Sequence, residues 1–274
     1  IANSEISNIN SNAGKSVIVS EDSFELIQKG IFFGTISDDL FDISIGPLVD
    51  LWGISGDNQH IPSQADIDST MLKVDYRNIS MDNQNKSISI AEGMSLDTGA
   101  IAKGFVTDKL VGILREKNVK SALLNLGGNL YLYGSKPDSS LWTVGIRDPF
   151  GSQGDHLGTV AVKDMSVVTS GIYERYFEKD GERLHHILNP ETGYPSDNGL
   201  AAVSILSPNS TNCDGLSTAC FLLGVDKGME LIEQFENVEA IMVTTDKKVY
   251  VSGGIKNGEI PFKLTNDDYT ILNK

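Results

Sequence analysis

A carboxylate and a hydroxyl four residues apart can stand on one face of a helix as two hard oxygen ligands. The stretch Asn212-Cys213-Asp214-Gly215-Leu216-Ser217-Thr218-Ala219-Cys220 supplies such a pair in Asp214 and Thr218. Magnesium takes oxygen ligands in octahedral geometry, keeps several waters, and is usually held by one or two carboxylates together with substrate phosphates. The pair therefore points to a phosphate-bearing substrate. The same carboxylate also suits the N-cap of a helix running on through Leu216, Ala219, Cys220 and Leu223, because Asp there accepts from first-turn amides. These nine residues alone leave both readings open.

Two further segments carry chemistry. Leu96-Asp97-Thr98-Gly99-Ala100-Ile101-Ala102-Lys103-Gly104-Phe105 leads from an apolar run into a helix whose expected buried face is Ile101, Phe105, Val106, Leu110, Ile113 and Leu114. Small residues where that helix begins leave N–H groups approachable by an anion, and Lys103 adds a point charge suited to phosphate. Asp97 as a helix cap and Lys103 as a solvated surface lysine fit the same residues. In Leu184-His185-His186-Ile187-Leu188-Asn189-Pro190-Glu191-Thr192-Gly193-Tyr194-Pro195 a histidine pair opens a strand-like run that closes in a turn at Pro190 and Gly193. Imidazole titrates near neutrality and suits a general base. Neighbours on a strand face opposite ways, so only one of His185 and His186 can serve a given pocket; a histidine at a strand edge also serves as a plain structural hydrogen-bonder.

Four more short motifs stand with these in order: Ser4 to Asn10, Phe41 to Gly53 (Phe-Asp-Ile-Ser-Ile-Gly-Pro-Leu-Val-Asp-Leu-Trp-Gly), Leu124 to Asn129 (Leu-Asn-Leu-Gly-Gly-Asn) and Val168 to Arg175 (Val-Thr-Ser-Gly-Ile-Tyr-Glu-Arg). Together the set resembles the FAD:protein FMN transferases, the ApbE family of flavin transferases. The resemblance implies an α+β fold, ApbE-like and T-fold-related, with a mixed sheet core flanked by helices. It implies one FAD:protein FMN transferase domain over residues 1–274, with the N-terminal edge of the family domain preceding Ile1. The implied reaction cleaves FAD at its diphosphate with Mg2+, passes the FMN half to a Thr or Ser hydroxyl of an acceptor protein bearing an Asp-Gly-x-Ser/Thr-Gly-Ala-Thr/Ser-like motif, and releases AMP.

By motif position the resemblance gives Ala100 (through its carbonyl), Asp214 and Thr218 as the magnesium site, with Ser217 beside them. Asp97 and Lys103 correspond to FAD contacts; Leu51, Trp52 and Gly53 to the segment lining the flavin nucleotide pocket; Ile187 and Leu188 to its wall. His186 corresponds to the group that activates the acceptor hydroxyl. Trp52 follows Leu48, Val49 and Leu51 as a core residue also would, and Gly127-Gly128 reads as a turn near the pocket. Ser170, Gly171, Tyr173 and Arg175 match the family without a separable role. Some relatives hydrolyse FAD to FMN and AMP at the same metal site, so a pyrophosphatase stays open, as does a flavin-binding protein without catalysis. Relatives are often exported or tethered lipoproteins, which implies an extracytoplasmic protein anchored to a bacterial membrane through a preceding N-terminal segment.

The elements that must position these residues are legible in outline. With 274 residues, 40% of them hydrophobic, the chain can bury a sizeable core. Its 22 basic and 37 acidic residues, net −15, argue against sequence-independent binding to nucleic acid or an anionic membrane surface. No apolar run reaches the ~18 residues of a membrane span, and no zinc-like cysteine cluster, phosphate-loop fingerprint or repeat is present. Cys213 and Cys220 lie about 10.5 Å apart along a helix axis, too far to bond without breaking the helix, so both are expected reduced and buried. The patterning predicts a helix over 22–34 with Phe24, Ile27 and Ile31 on one face, a polar exposed loop over 55–69, and short β runs over 71–94. It predicts strands at 122–126, 142–146, 159–162 and 166–169, a helix at 227–235, and a hairpin of 240–244 with 248–252. Strands and helices without a βαβ rhythm favour α+β.

Overall fold

The computed structural model describes residues 4–272 apart from Ser55 and Asp57, and the chain divides into two compact units. The first comprises Ile1–Ala100 with Glu174–Ser196, the second Ile101–Tyr173 with Asp197–Lys274.

In the first unit, α1 (Glu5–Ser11) starts at Ser4, whose hydroxyl accepts from the Ser7 amide at 3.1 Å. After β1 (Ser16–Ile18), α2 (Glu21–Ile36) buries Phe24, Leu26, Ile27 and Phe33. Its inner face is turned from the expected one towards Gly30 and Gly34. At these positions a Cβ would fall 2.5 Å from Ile43 and 2.7 Å from the Tyr76 ring. α3 (Gly46–Trp52) carries Pro47 in its first turn and ends at Gly53 with φ 59°, a left-handed cap that favours glycine. A Cβ there would also meet the Asn58 carbonyl oxygen at 2.7 Å.

The expected loop over 55–69 is in part a helix, α4 (Gln64–Met71). Ser63 caps it by accepting from the Asp66 amide. Ile67 and Met71 turn inward to Leu48, Trp52, Ile54 and Leu188, so two apolar residues suffice for one buried stripe on an otherwise polar segment. Ser55 and Asp57, at the start of that stretch, lie outside the described residues. β2 (Ser80–Asp82) and β3 (Ser87–Ser89) complete a small antiparallel sheet in the order β1-β3-β2.

Trp52 is fully buried. Its indole N–H donates to the Gly193 carbonyl at 2.8 Å and its ring meets Tyr194 edge-on at 5.5 Å. Trp52→Phe keeps an aromatic ring but strips the donor from a buried carbonyl, a loss of about 1–3 kcal/mol. A chemical denaturation midpoint lowered at constant slope would record it.

The second unit begins with α5 (Ala102–Glu116) and is built on strands β4 (Ala122–Leu126), β5 (Asn129–Tyr133), β6 (Trp142–Arg147), β7 (His156–Val162) and β8 (Met165–Gly171). A hairpin of β9 (Tyr176–Lys179) and β10 (Glu182–His185) belongs to the first unit. The second unit then resumes with β11 (Leu200–Ser207), α6 (Ser210–Ile232), β12 (Glu239–Thr244), β13 (Lys248–Val251), α7 (Gly253–Lys256), β14 (Phe262–Leu264) and β15 (Thr270–Leu272). A seven-stranded sheet runs β15-β13-β12-β11-β8-β5-β4, and a three-stranded sheet runs β14-β7-β6. The large sheet is antiparallel except for the β13–β15 pair. This is the expected α+β arrangement, a mixed sheet with helices.

One face of the large sheet, with Leu132, Ala202, Leu206, Ile241 and Val243, packs on Val144, Ile146, Leu157 and Val160 of the small sheet. α6 packs on β11 and β8, and α5 lies against α6. β11, buried at every residue, is covered on both faces. It therefore lacks the polar alternation that marks a half-exposed strand.

Candidate functional site

In the second unit, α5 and α6 meet as antiparallel helices. Asp214 is the fifth residue of α6 and 3% exposed. It does not cap its own helix: Asn209 does, accepting from the Asn212 amide at 2.7 Å. Instead Asp214 Oδ2 accepts the Gly104 N–H in the first turn of α5 at 2.8 Å, and Oδ1 lies 3.5 Å from Lys103 Nζ. The α5 N-terminus, expected to offer its amides to a ligand anion, gives at least this one to a protein carboxylate. Lys103 is accordingly paired with Asp214 while its side chain stays 39% exposed. Burial pushes the Asp214 carboxyl above its ordinary range, opposed by the charge of Lys103, the Asn129 amide and the Gly104 hydrogen bond.

Thr218, one turn further along α6, is half-buried, and its Oγ1 stands 3.2 Å from Ser170 Oγ at the end of β8. Ser217 is fully buried; its hydroxyl donates back to the Asp214 carbonyl at 2.9 Å and lies 2.8 Å from Ser170 Oγ. Asn129 is 3% exposed, and its amide nitrogen has no full hydrogen bond. It follows the tight turn at Gly127 and Gly128, whose φ angles of 57° and 99° are those of a two-residue hairpin.

The donors gathered here are one carboxylate and hydroxyl oxygens. No group of three His, Cys, Asp or Glu suited to a metal occurs among the described residues. That set is too hard and too sparse for zinc. It fits magnesium, which completes its shell with water and phosphate. The buried Asn129 amide beside the carboxylate, which makes no full hydrogen bond, adds a further polar group at this site.

The α5 face differs from the expected one. Val106 and Ile113 are 46% and 50% exposed, while Gly104, Phe105, Thr107 and Val111 are buried. Helix contact here runs through small residues: a Cβ on Gly104 would fall 2.3 Å from the Ser210 carbonyl oxygen and 2.7 Å from Asp214 Cβ. Gly104→Ala is expected to force the helices apart at a cost of about 1–3 kcal/mol and to pull Asp214 off its amide partner. A thermal melt, together with hydrogen exchange at residue 104, measures both. Cys213 and Cys220 are buried free thiols, as expected.

The first unit carries the other sequence-derived residues. His185 ends β10; it does not open a strand. The run after it is irregular apart from a bridge between Leu188 and Pro195. His185 is buried, with Nε2 3.0 Å from the Ser196 carbonyl and Nδ1 3.3 Å from the Ile187 amide. A carbonyl only accepts and an amide only donates, so this ring is neutral with its proton on Nε2. His186 is half-buried, and its Nδ1 lies 3.2 Å from the Arg175 carbonyl. By the same logic Nδ1 carries the proton, and in the neutral ring the lone pair is on Nε2. Two adjacent histidines thus hold opposite tautomers against the backbone.

Asp97 does not cap α5, whose N-cap residue is Ile101. Its Oδ1 accepts from the Gly99 amide at 2.7 Å in a tight local turn, and its own amide donates to the Ile43 carbonyl. Asn10 holds the residue before it, pairing with both the amide and the carbonyl of Leu96 at 2.7 and 2.9 Å. Leu51, Gly53 and Ala100 are half-buried, whereas Ile187 and Leu188 are each 5% exposed. Leu188 packs in the cluster with Trp52. The structure thus brings Lys103, Asp214, Ser217 and Thr218 together in the second unit. In the first, Trp52 and Leu188 share one core. Asn10, Asn129 and Ser170 were in the quoted motifs without a role, because their partners lie far away in sequence.

Residues 1–242 match the sequence model of the ApbE family. A protein of Klebsiella pneumoniae named FAD:protein FMN transferase is 40% identical over 253 residues, covering 92% of this chain and 78% of that protein. One of the same name from Treponema pallidum is 38% identical, covering 92% and 74%. Among solved structures, the ApbE protein of Thermotoga maritima superposes with a TM-score of 0.86 at 31% identity, covering 93% of this chain and 83% of that one. The apo flavinyl transferase ApbE of Pseudomonas stutzeri gives 0.81 at 30%, covering 94% and 81%.

Proposed function

The chain belongs to the ApbE family, and on that premise we propose that it is a magnesium-dependent transferase that moves the FMN half of FAD onto a Thr or Ser hydroxyl of an acceptor protein and releases AMP. The observation that carries the reading is the Asp214 cluster: a buried carboxylate set between an ammonium and a helix amide, with a hydroxyl one turn away. A site of that make-up suits a cation that shares its shell with phosphate.

Asp214 and Thr218 would hold the ion; the Ala100 carbonyl is assigned to it by motif position alone. Bound there, magnesium would neutralise charge on the diphosphate, which is most of what phosphoryl transfer requires. Lys103 adds a second positive charge beside the same carboxylate. His186 takes the proton of the acceptor hydroxyl on Nε2 as the new O–P bond to FMN forms and the bridging P–O bond breaks. AMP leaves with the bridging oxygen as a phosphate anion, so departure needs no proton donor. Asp97, Leu51, Gly53 and Ile187 are assigned to FAD contacts, and Trp52 and Leu188 support them from the core.

Incubation with FAD and Mg2+, with and without a peptide carrying the acceptor-type motif, tests the reading by intact mass and nucleotide separation. One FMN added to the peptide with AMP released, both abolished by chelator, is the expected result. Free FMN and AMP regardless of peptide would make the enzyme a pyrophosphatase, and unchanged FAD would overturn catalysis.

A further inference from the structure

We propose that Asp108 is a positioning residue for the metal end of this reaction, acting through the N-terminus of α6; the inference rests on the reading above. A helix begins with N–H groups that have no partner of their own. In α6 the first of these are taken by a different helix. Asp108 of α5 accepts from the Ser210 amide on Oδ1 at 2.7 Å, and on Oδ2 from the Thr211 amide at 2.8 Å and the Thr211 hydroxyl at 2.6 Å. The next amide, Asn212, goes to Asn209, the local cap. Local capping is thus already present, and Asp108 adds a bond between helices.

The bond is returned. Asp214, four residues beyond Ser210, accepts from Gly104, four residues before Asp108. Each helix therefore places a carboxylate on the N-terminal amides of the other, and the two contacts stand about 6 Å apart along antiparallel axes. Gly104 makes this possible, since any Cβ would strike the Ser210 carbonyl. Both clamps hold in only one register; a slip of one residue, about 1.5 Å, breaks both. The spacing of Asp214 and Thr218 is fixed by α6 alone. Their placement relative to Lys103 and the Gly104 amide is fixed by Asp108. A metal site must be held to within about 0.5 Å, and outer partners of ligands typically contribute 10–100-fold in metal affinity.

The test uses Mn2+ as the probe, titrated into the full chain with free ion counted by electron paramagnetic resonance, alongside hydrogen exchange at Gly104. Asp108→Asn is expected to weaken Mn2+ binding by about 10–100-fold and to speed Gly104 exchange. The Mg2+ half-saturation of turnover should rise by the same factor, with kcat recovering at saturating Mg2+. That split is one that general destabilisation would not give. Thr211→Val, losing one contact of three, should fall between. A folded Asp108→Asn protein with wild-type Mn2+ affinity overturns the proposal; if that variant does not fold, wild-type affinity in Thr211→Val does so. A wild-type chain that binds no Mn2+ overturns the metal reading itself and the proposal with it.

Discussion

Asp214→Asn is expected to remove magnesium-dependent turnover, by about 10²-fold at the least and by more if the ion is lost altogether. A metal acting as Lewis acid contributes several kcal/mol to the transition state, and each 1.4 kcal/mol is a factor of ten. The substitution keeps the volume of a side chain that is 3% exposed, and its amide oxygen can still accept from Gly104, so the interhelical contact persists while the charge goes. Initial rates over a Mg2+ series, beside a thermal melt, separate the two effects. Turnover close to wild type at saturating Mg2+ would remove Asp214 from the metal site.

The same carboxylate sets a pH dependence. Burial raises its proton affinity in the folded chain, so the metal-free protein binds this proton at a higher pH than the unfolded chain does. Stability from this group therefore rises as pH falls through the raised value towards the ordinary Asp value near 3.9. The metal requires the ionised form. Mg2+ half-saturation should accordingly weaken in that same window, at higher pH than an exposed aspartate would give, and the pH dependence of stability should vanish in Asp214→Asn.

What could be read from the sequence followed one physical line. Segments with a local signature were legible: the edges of β4 and β6, the hairpin of β12 and β13, the tight turn at Gly127 and Gly128, and the i, i+4 pair of Asp214 and Thr218. What escaped depends on contacts between distant segments. β11 carries no alternation because both of its faces are covered. The separate helical signals through Leu223 and over 227–235, by contrast, were legible: α6 is broken between them at Gly224, whose φ of 80° and ψ of 178° are not helical. The inner face of α5 is set by Gly104 and Asp108, a small and a charged residue that an apolar period cannot detect. Asp214 could be read as a cap because caps and ligands use the same side chain. The Asn209 cap and the Asp214 contact with the Gly104 amide, 110 residues away, exclude the cap reading.

His186→Asn is expected to lower kcat by about 10²–10⁴-fold, the usual contribution of a positioned general base, with the KM for FAD and the Mg2+ half-saturation little changed. The Asn amide nitrogen takes the place of Nδ1 and can go on donating to the Arg175 carbonyl, so the segment keeps its anchor while the proton acceptor at Nε2 is lost. The neighbouring residue supplies the contrast. His185 has its two ring nitrogens on the Ser196 carbonyl and the Ile187 amide and is 5% exposed. His185→Asn leaves at least one of those backbone groups without its partner, and should cost about 1–3 kcal/mol of stability with a smaller effect on the rate of the folded fraction. Rate and melting temperature measured on both variants thus give opposite patterns for adjacent residues of one type. Raising the pH should restore part of the His186→Asn rate, because more of the acceptor hydroxyl is then ionised without help. A His186→Asn enzyme that transfers FMN at the wild-type rate near neutrality would exclude the imidazole as base, and the proton would then have to leave through the metal-bound end of the site.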